Sequence, residues 1–121
     1  MEQSKIKNFT DLVAWQEAHS LALSIYQATK AFPKDELYGL VNQMRRSVVS
    51  IASNIAEGFG RKTNADKRHF YNIAGGSLAE IQSQLFLARD LGYLNKDSHV
   101  SLNEQTEHVY RLINGLIGYI S

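Results

Sequence analysis

The sequence contains no cysteine, which excludes disulfide staples, thiolate metal sites and thiol redox chemistry, and makes a reducing, cytoplasmic setting the expectation. Proline occurs once, at Pro33, so long helices meet almost no obligatory break. Alternating β-branched runs are nearly absent, and helix is the regular structure the chain can sustain. No window approaches the roughly 18 consecutive apolar residues of a membrane span, and the polar stretch from Met1 to Asn8 has no apolar signal core. Neither insertion nor export is expected. No helix carries a Lys/Arg-rich polar face either, which argues against a membrane-surface role. A formal net charge of +1 leaves no bulk field for attracting polyanions.

What is present is helical periodicity punctuated at regular intervals. At 121 residues the chain suits one domain with a core of its own. Its breakers divide it into helices over about 12–31, 35–59, 64–91 and 97–120, with residues 1–8 expected to be flexible. The first helix, with Trp15, Ala18, Ala22, Ile25 and Thr29 on one face, stops before Phe32 and Pro33, because proline disfavours helix in its predecessor. Asp35 and Glu36 suit the positive end of the second helix, and Gly58 or Gly60 reads as its stop. Thr63 or Asn64 caps the third, which Gly92 follows, and Asn95 or Asp97 caps the last. The last helix carries Leu102, Val109, Leu112, Leu116 and Ile120. Short connections make successive helices antiparallel neighbours. The predicted fold is all-α, an antiparallel up-down-up-down four-helix bundle.

The second and third helices each carry a double seam. Leu37, Val41, Met44, Val48, Ile51 and Ile55 draw an apolar stripe, and Gln43, Ser47, Ser50, Asn54 and Glu57 draw a polar one about 100° away. On the third helix Ala74, Leu78, Ile81, Leu85 and Ala88 are apolar, while Ile73, Ser77, Glu80, Gln84 and Leu87 precede them by one residue. A fold-back near Thr63 pairs positions whose numbers sum to about 127, so Ser50 meets Ser77, Arg46 and Ser47 meet Glu80, and Gln43 meets Gln84. This register predicts a partly buried Arg46–Glu80 ion pair. Gly75 and Gly76, each costing roughly 1 kcal/mol in mid-helix, predict a close backbone approach or a bulge.

Together, Phe9-Thr-Asp-Leu-Val-Ala-Trp-Gln16, Tyr38-Gly-Leu40, Gln43-Met-Arg-Arg46, Ser50-Ile-Ala-Ser-Asn-Ile-Ala-Glu-Gly58, Arg68-His-Phe70 and Ala74-Gly-Gly-Ser-Leu-Ala-Glu80 resemble a bacterial four-helix-bundle family. That family was first noted as open reading frames within intervening sequences of large-subunit ribosomal RNA genes, and it includes the accessory variability determinant of diversity-generating retroelements. The resemblance, over roughly residues 9 to 94, implies a homopentameric ring of bundles and no established catalytic activity. The retroelement branch is strongly basic and binds nucleic acid; this chain, at +1, departs from it.

Arg46, Ser50, Asn54, Glu57, Ser77 and Glu80 match the family's polar motif. Two carboxylates near an arginine can serve acid–base chemistry, but no nucleophile–base pair accompanies them, so a seam fixing register or a subunit contact is the better reading. A di-iron site would need a glutamate from each of two helices and Glu-x-x-His from each of the other two; Asp66 and His69 supply one such element. His19, His69, His99 and His108 show no i, i+4 pairing for zinc, and surface or cap positions are expected for them. No cofactor or metal is expected. Six cations against two carboxylates between Gln43 and Phe70 make Arg45, Arg61, Lys62, Lys67 and Arg68 the candidate contacts for nucleic acid, as a rim repeated around a ring. Trp15, Tyr26, Phe32, Tyr38, Phe59, Phe70 and Tyr71 are expected to plug bundle ends and subunit seams. The functional expectation is a non-enzymatic, self-assembling scaffold, with nucleic-acid binding as the alternative.

Overall fold

The structure is a computed structural model and describes residues 6–121. A 3-10 turn at Phe9–Asp11 leads into α1 (Val13–Thr29), and a second at Lys34–Glu36 into α2 (Leu40–Phe59). Next come α3 (Asn64–Asp90) and α4 (Lys96–Ile120), with no strand among the described residues. Each helix packs on the one before it in sequence, α4 also closes on α1, and α2 with α3 forms the most extensive pair. The helices therefore stand at the corners of a square, the predicted four-helix bundle.

The apolar stripes account for the core. On α2, Met44, Val48, Ile51 and Ile55 are wholly buried, and on α3 so are Ala74, Leu78, Ile81, Leu85 and Ala88. Each buried leucine or isoleucine contributes roughly 1.5–3 kcal/mol by leaving water. On α1 the buried line is Ala14, Ala18, Leu21, Ile25 and Thr29, with Trp15 and Ala22 only partly covered. The true core face is thus turned toward Leu21 relative to the predicted one. On α4 the line is His99, Leu102, Thr106, Val109 and Ile113. Thr106 is tolerated there because its hydroxyl donates to the Asn103 carbonyl at 2.6 Å and accepts from Gln82 at 3.1 Å.

The helix ends show which local signals won. Thr63 accepts from the Asp66 N–H at 3.1 Å and Asn95 from the Ser98 N–H at 2.7 Å, so both caps fall where expected. Gly92 takes a positive φ of 83° just past α3. The second helix, in contrast, begins at Leu40 rather than at residue 35. Asp35 and Glu36 belong to the preceding 3-10 turn, and Leu37 and Tyr38 are exposed. Glu36 still serves the helix dipole, from outside: one carboxylate oxygen accepts from the Leu40 N–H at 3.2 Å and the other from the Tyr93 hydroxyl at 2.8 Å. That bond from Glu36 raises the Tyr93 pKa. Of the segment expected to be flexible, residues 1–5 lie outside the described residues. The Lys7 and Asn8 amides donate to Asp11 at 2.9 and 3.2 Å, which holds its carboxyl below the usual range.

Of the two glycines read as the stop of the second helix, Gly60 is the cap and Gly58 lies inside α2, while the reading of Gly75 and Gly76 requires correction. A Cβ at Gly58 would stand 2.7 Å from the Tyr71 ring, so glycine is there to let α3 approach. Gly75 and Gly76 mark neither a bulge nor a close approach within the chain: α3 runs unbroken past them, and a Cβ at either meets nothing within 4 Å. Gly75→Ala with Gly76→Ala is therefore expected to stabilise the fold of the protomer by roughly 2 kcal/mol in urea unfolding, about 1 per site. No gain at either position would mean that a neighbour outside the chain occupies that space.

Candidate functional site: the two grooves beside α2

The α2 helix presents a different chemistry to each of its neighbours. Toward α3 lies the polar seam. Ser50 and Ser77 hydroxyls meet at 2.8 Å, as the antiparallel register predicts, and the Asn54 amide donates to the Ser50 carbonyl at 2.8 Å and to its hydroxyl at 3.0 Å. Ser47 is buried at 5 % exposure. Small side chains at these positions leave an open groove of about 480 Å³ lined by Asn42, Gln43, Arg46, Ser47, Ser77 and Glu80, with Ser50 at its floor.

The predicted Arg46–Glu80 ion pair is absent. Both side chains are exposed, and among the described residues neither forms an ion pair or a side-chain hydrogen bond. The register is right but both positions sit on the outer flank of the seam, where solvent removes most of the gain from pairing and the side-chain entropy cost remains. Glu57 leaves the seam altogether and pairs with Arg61 at 2.6 Å on the surface. At the far end, Gln84 carries a buried side-chain oxygen with no hydrogen-bond partner. A polar atom left so costs about 1–3 kcal/mol.

Toward α1 the surface is apolar. A second groove of about 480 Å³ has small residues, Ala22, Ala52 and Ala56, at its base and Trp15, Tyr26 and Val49 on its walls. Leu23 on its rim is 61 % exposed and Val49 43 %. Trp15 is held by Phe9, edge to face at 5.3 Å, and by His19, stacked at 4.8 Å. Exposed apolar side chains gathered around one groove mark an interaction surface more strongly than the same residues scattered.

The structure does not gather the five cations proposed for nucleic acid into one free patch. Arg45 ties α2 to α1, its Nε donating to the Thr29 hydroxyl at 3.0 Å and its guanidinium lying 4.6 Å over the Tyr26 ring. Arg61 holds Glu57 and lies 4.5 Å over the Phe70 ring. Lys67 caps the end of α2, donating to the Phe59 and Gly58 carbonyls at 2.7 and 3.4 Å. Lys62 and Arg68 make no side-chain hydrogen bond or ion pair among the described residues.

Two further expectations change. Phe32 and Tyr71 do close the core ends, but Tyr38 is 91 % exposed. Of the histidines placed on the surface or at caps, His99 is buried against the Phe86 ring at 4.6 Å, with its Nε2 unpartnered. Its i, i+3 spacing from Leu102 is the signal that would have placed it inward. Among the described residues no three His, Asp or Glu side chains converge as metal ligands, and no helix is long and apolar enough to cross a membrane.

The model of the 23S rRNA-intervening sequence protein family matches residues 10–115. The chain belongs to that family. A crystal structure of a protein of unknown function from the S23 ribosomal protein family, from Bacteroides thetaiotaomicron, superimposes with a TM-score of 0.81. It is 24 % identical, and the match covers 87 % of this chain and 98 % of that one, which shows a shared fold. No curated protein matches the sequence. The family is one of unknown function, and no catalytic family is indicated.

Proposed function

We propose that the protein is a non-enzymatic scaffold that assembles into a homopentameric ring in the cytoplasm, with α2 at the corner of each subunit contact. The supporting observation is that the two grooves flank the same helix and differ in kind, one apolar and rimmed by Leu23 and Val49, the other polar with unpaired Arg46 and Glu80. A two-fold dimer needs one self-complementary patch, whereas a closed ring needs two unlike ones on each protomer. On a square bundle the α1–α2 and α2–α3 faces meet at roughly a right angle. Contacts through opposite faces would give a straight row, while faces at about 90–110° close after about four or five copies.

In this arrangement the α1–α2 groove of one protomer receives the α2–α3 edge of the next. That edge carries Ile73 and Leu87, exposed by 39 and 49 %, beside the polar seam. Burying them gives the contact its apolar core, while Arg46 and Glu80 gain the partners that the described residues of their own chain do not supply. The number five comes from the family resemblance. Nucleic acid on a basic rim is left with Lys62 and Arg68 as cations without partners among the described residues, so the scaffold is the better supported reading. Light scattering on the eluting protein tests it: the expected mass is five chains, and a monomer at micromolar concentration would overturn it.

A further inference from the structure

A third cavity lies away from both grooves, at the end of the bundle where α2 and α4 finish and α3 begins. It measures about 380 Å³, and Leu12, Phe59, Lys67, Tyr71, Leu116 and Ile120 line it. That volume is at the small end of the range for small-molecule sites, roughly 300–1,000 Å³. Ile6 and the exposed Tyr119 complete the lining, and the walls are apolar apart from the Lys67 ammonium and the Tyr71 and Tyr119 hydroxyls. The Lys67 ammonium has three N–H bonds and directs two at the Phe59 and Gly58 carbonyls, leaving one. The Tyr71 hydroxyl has no hydrogen-bond partner among the described residues, although the residue is 3 % exposed. Burial raises its pKa, so the phenol stays protonated at neutral pH and remains a donor.

An ammonium with one N–H to spare, the one charged group among the described lining residues, beside a protonated phenol and apolar walls favours a ligand with an apolar body and an anionic head. We propose that this cavity binds a medium-chain carboxylate, its tail among Leu12, Leu116 and Ile120 and its head on Lys67 and Tyr71. The geometry favours an anion in a second way. Lys67 already covers the last carbonyls of α2, so the negative end of that helix does not face the arriving carboxylate bare, and the positive end of α3 lies one turn away. Neither the ring proposal nor the polar seam enters this argument, and the site can stand or fall without them.

The experiment is titration of the full chain with hexanoate, octanoate and decanoate, followed by amide chemical shifts and calorimetry. Affinity is expected to rise roughly threefold to fourfold per methylene and to level off once the tail outgrows the cavity. Octan-1-ol, with the same tail and no charge, is expected to bind roughly tenfold more weakly than octanoate, as is octanoate to Tyr71→Phe, which keeps the ring and removes only the donor. Leu116→Trp fills the chamber and is expected to abolish binding. The proposal is overturned by no shifts around Tyr71 and Leu116 at millimolar ligand, by octanol binding as tightly as octanoate, or by affinity unchanged in both variants. Shifts confined to the α1–α2 groove would mean non-specific uptake by the larger apolar surface, and would overturn it equally.

Discussion

Leu23→Glu combined with Val49→Glu is expected to reduce the mass in solution roughly fivefold, from ring to single chain, without loss of helical content. Both side chains are exposed in the protomer, by 61 and 43 %, so neither substitution removes core contacts. Glutamate is also at least as good a helix former as valine. In the proposed ring the same positions, on the rim of the apolar groove, are covered by the next protomer. Each loses part of the roughly 1.5–3 kcal/mol that full burial brings, and each adds the larger cost of dehydrating an unpaired carboxylate. A ring repeats that loss at every contact, so partial dissociation is not the expected outcome. Light scattering and circular dichroism read the two effects separately. If the mass stays at that of the parent, the α1–α2 groove is not the contact; if helicity collapses with it, the groove is part of the core.

Gly58→Ala is expected to destabilise the fold by roughly 1–3 kcal/mol, the range for forcing an extra methyl into a packed interior. Alanine is the better helix former by about 1 kcal/mol, so the sign depends on whether the neighbouring ring can yield. The new Cβ would stand 2.7 and 2.8 Å from two carbons of the Tyr71 ring and 3.2 Å from the Lys67 carbonyl. Tyr71 is itself buried, with the α3 backbone behind it, so the displacement must pass into the α2–α3 packing. Trimming the ring separates this cause from others. In a Tyr71→Leu background the same substitution should cost little, and a cost unchanged by that background would exclude the ring clash as the mechanism. Set beside the expected gain at Gly75 and Gly76, it makes three helical glycines of one chain differ in sign for a single reason: what stands within 4 Å of the missing Cβ.

The site was legible only as far as local chemistry reaches. Polar positions 43, 47, 50 and 54 announce a seam by spacing, and a fold-back at Thr63 sets which residues of α3 they meet, so the Ser50–Ser77 contact could be written before any coordinates. Whether Arg46 and Glu80 then pair is a different question. Register fixes the distance between backbones, but pairing of two long, charged side chains is decided by how much solvent reaches them. Both lie on the exposed flank of their helices. The committed roles of Arg45, Arg61 and Lys67 were invisible for the same reason: an aromatic ring or a free carbonyl 8 to 19 residues away captures the cation, and no spacing rule describes that capture.

By itself, then, the sequence determined the class, the four helices, the caps of the last two helices to within a pair of candidates each, the Gly92 turn and the pairing of α2 with α3. Those are consequences of period, of side chains that bond the nearest backbone amides and of short loops, all of which act within a few residues. Only the tertiary structure decided where α2 begins, because Glu36 bonds across to Tyr93 instead of joining the helix. It also decided that Gly58 makes room for Tyr71, that His99 lies inside, and that an apolar cavity edged by the Lys67 ammonium stands at one end of the bundle. Each of these depends on groups that meet only after four helices have packed, and packing is set by the fit of whole faces, which no single stretch of the chain contains.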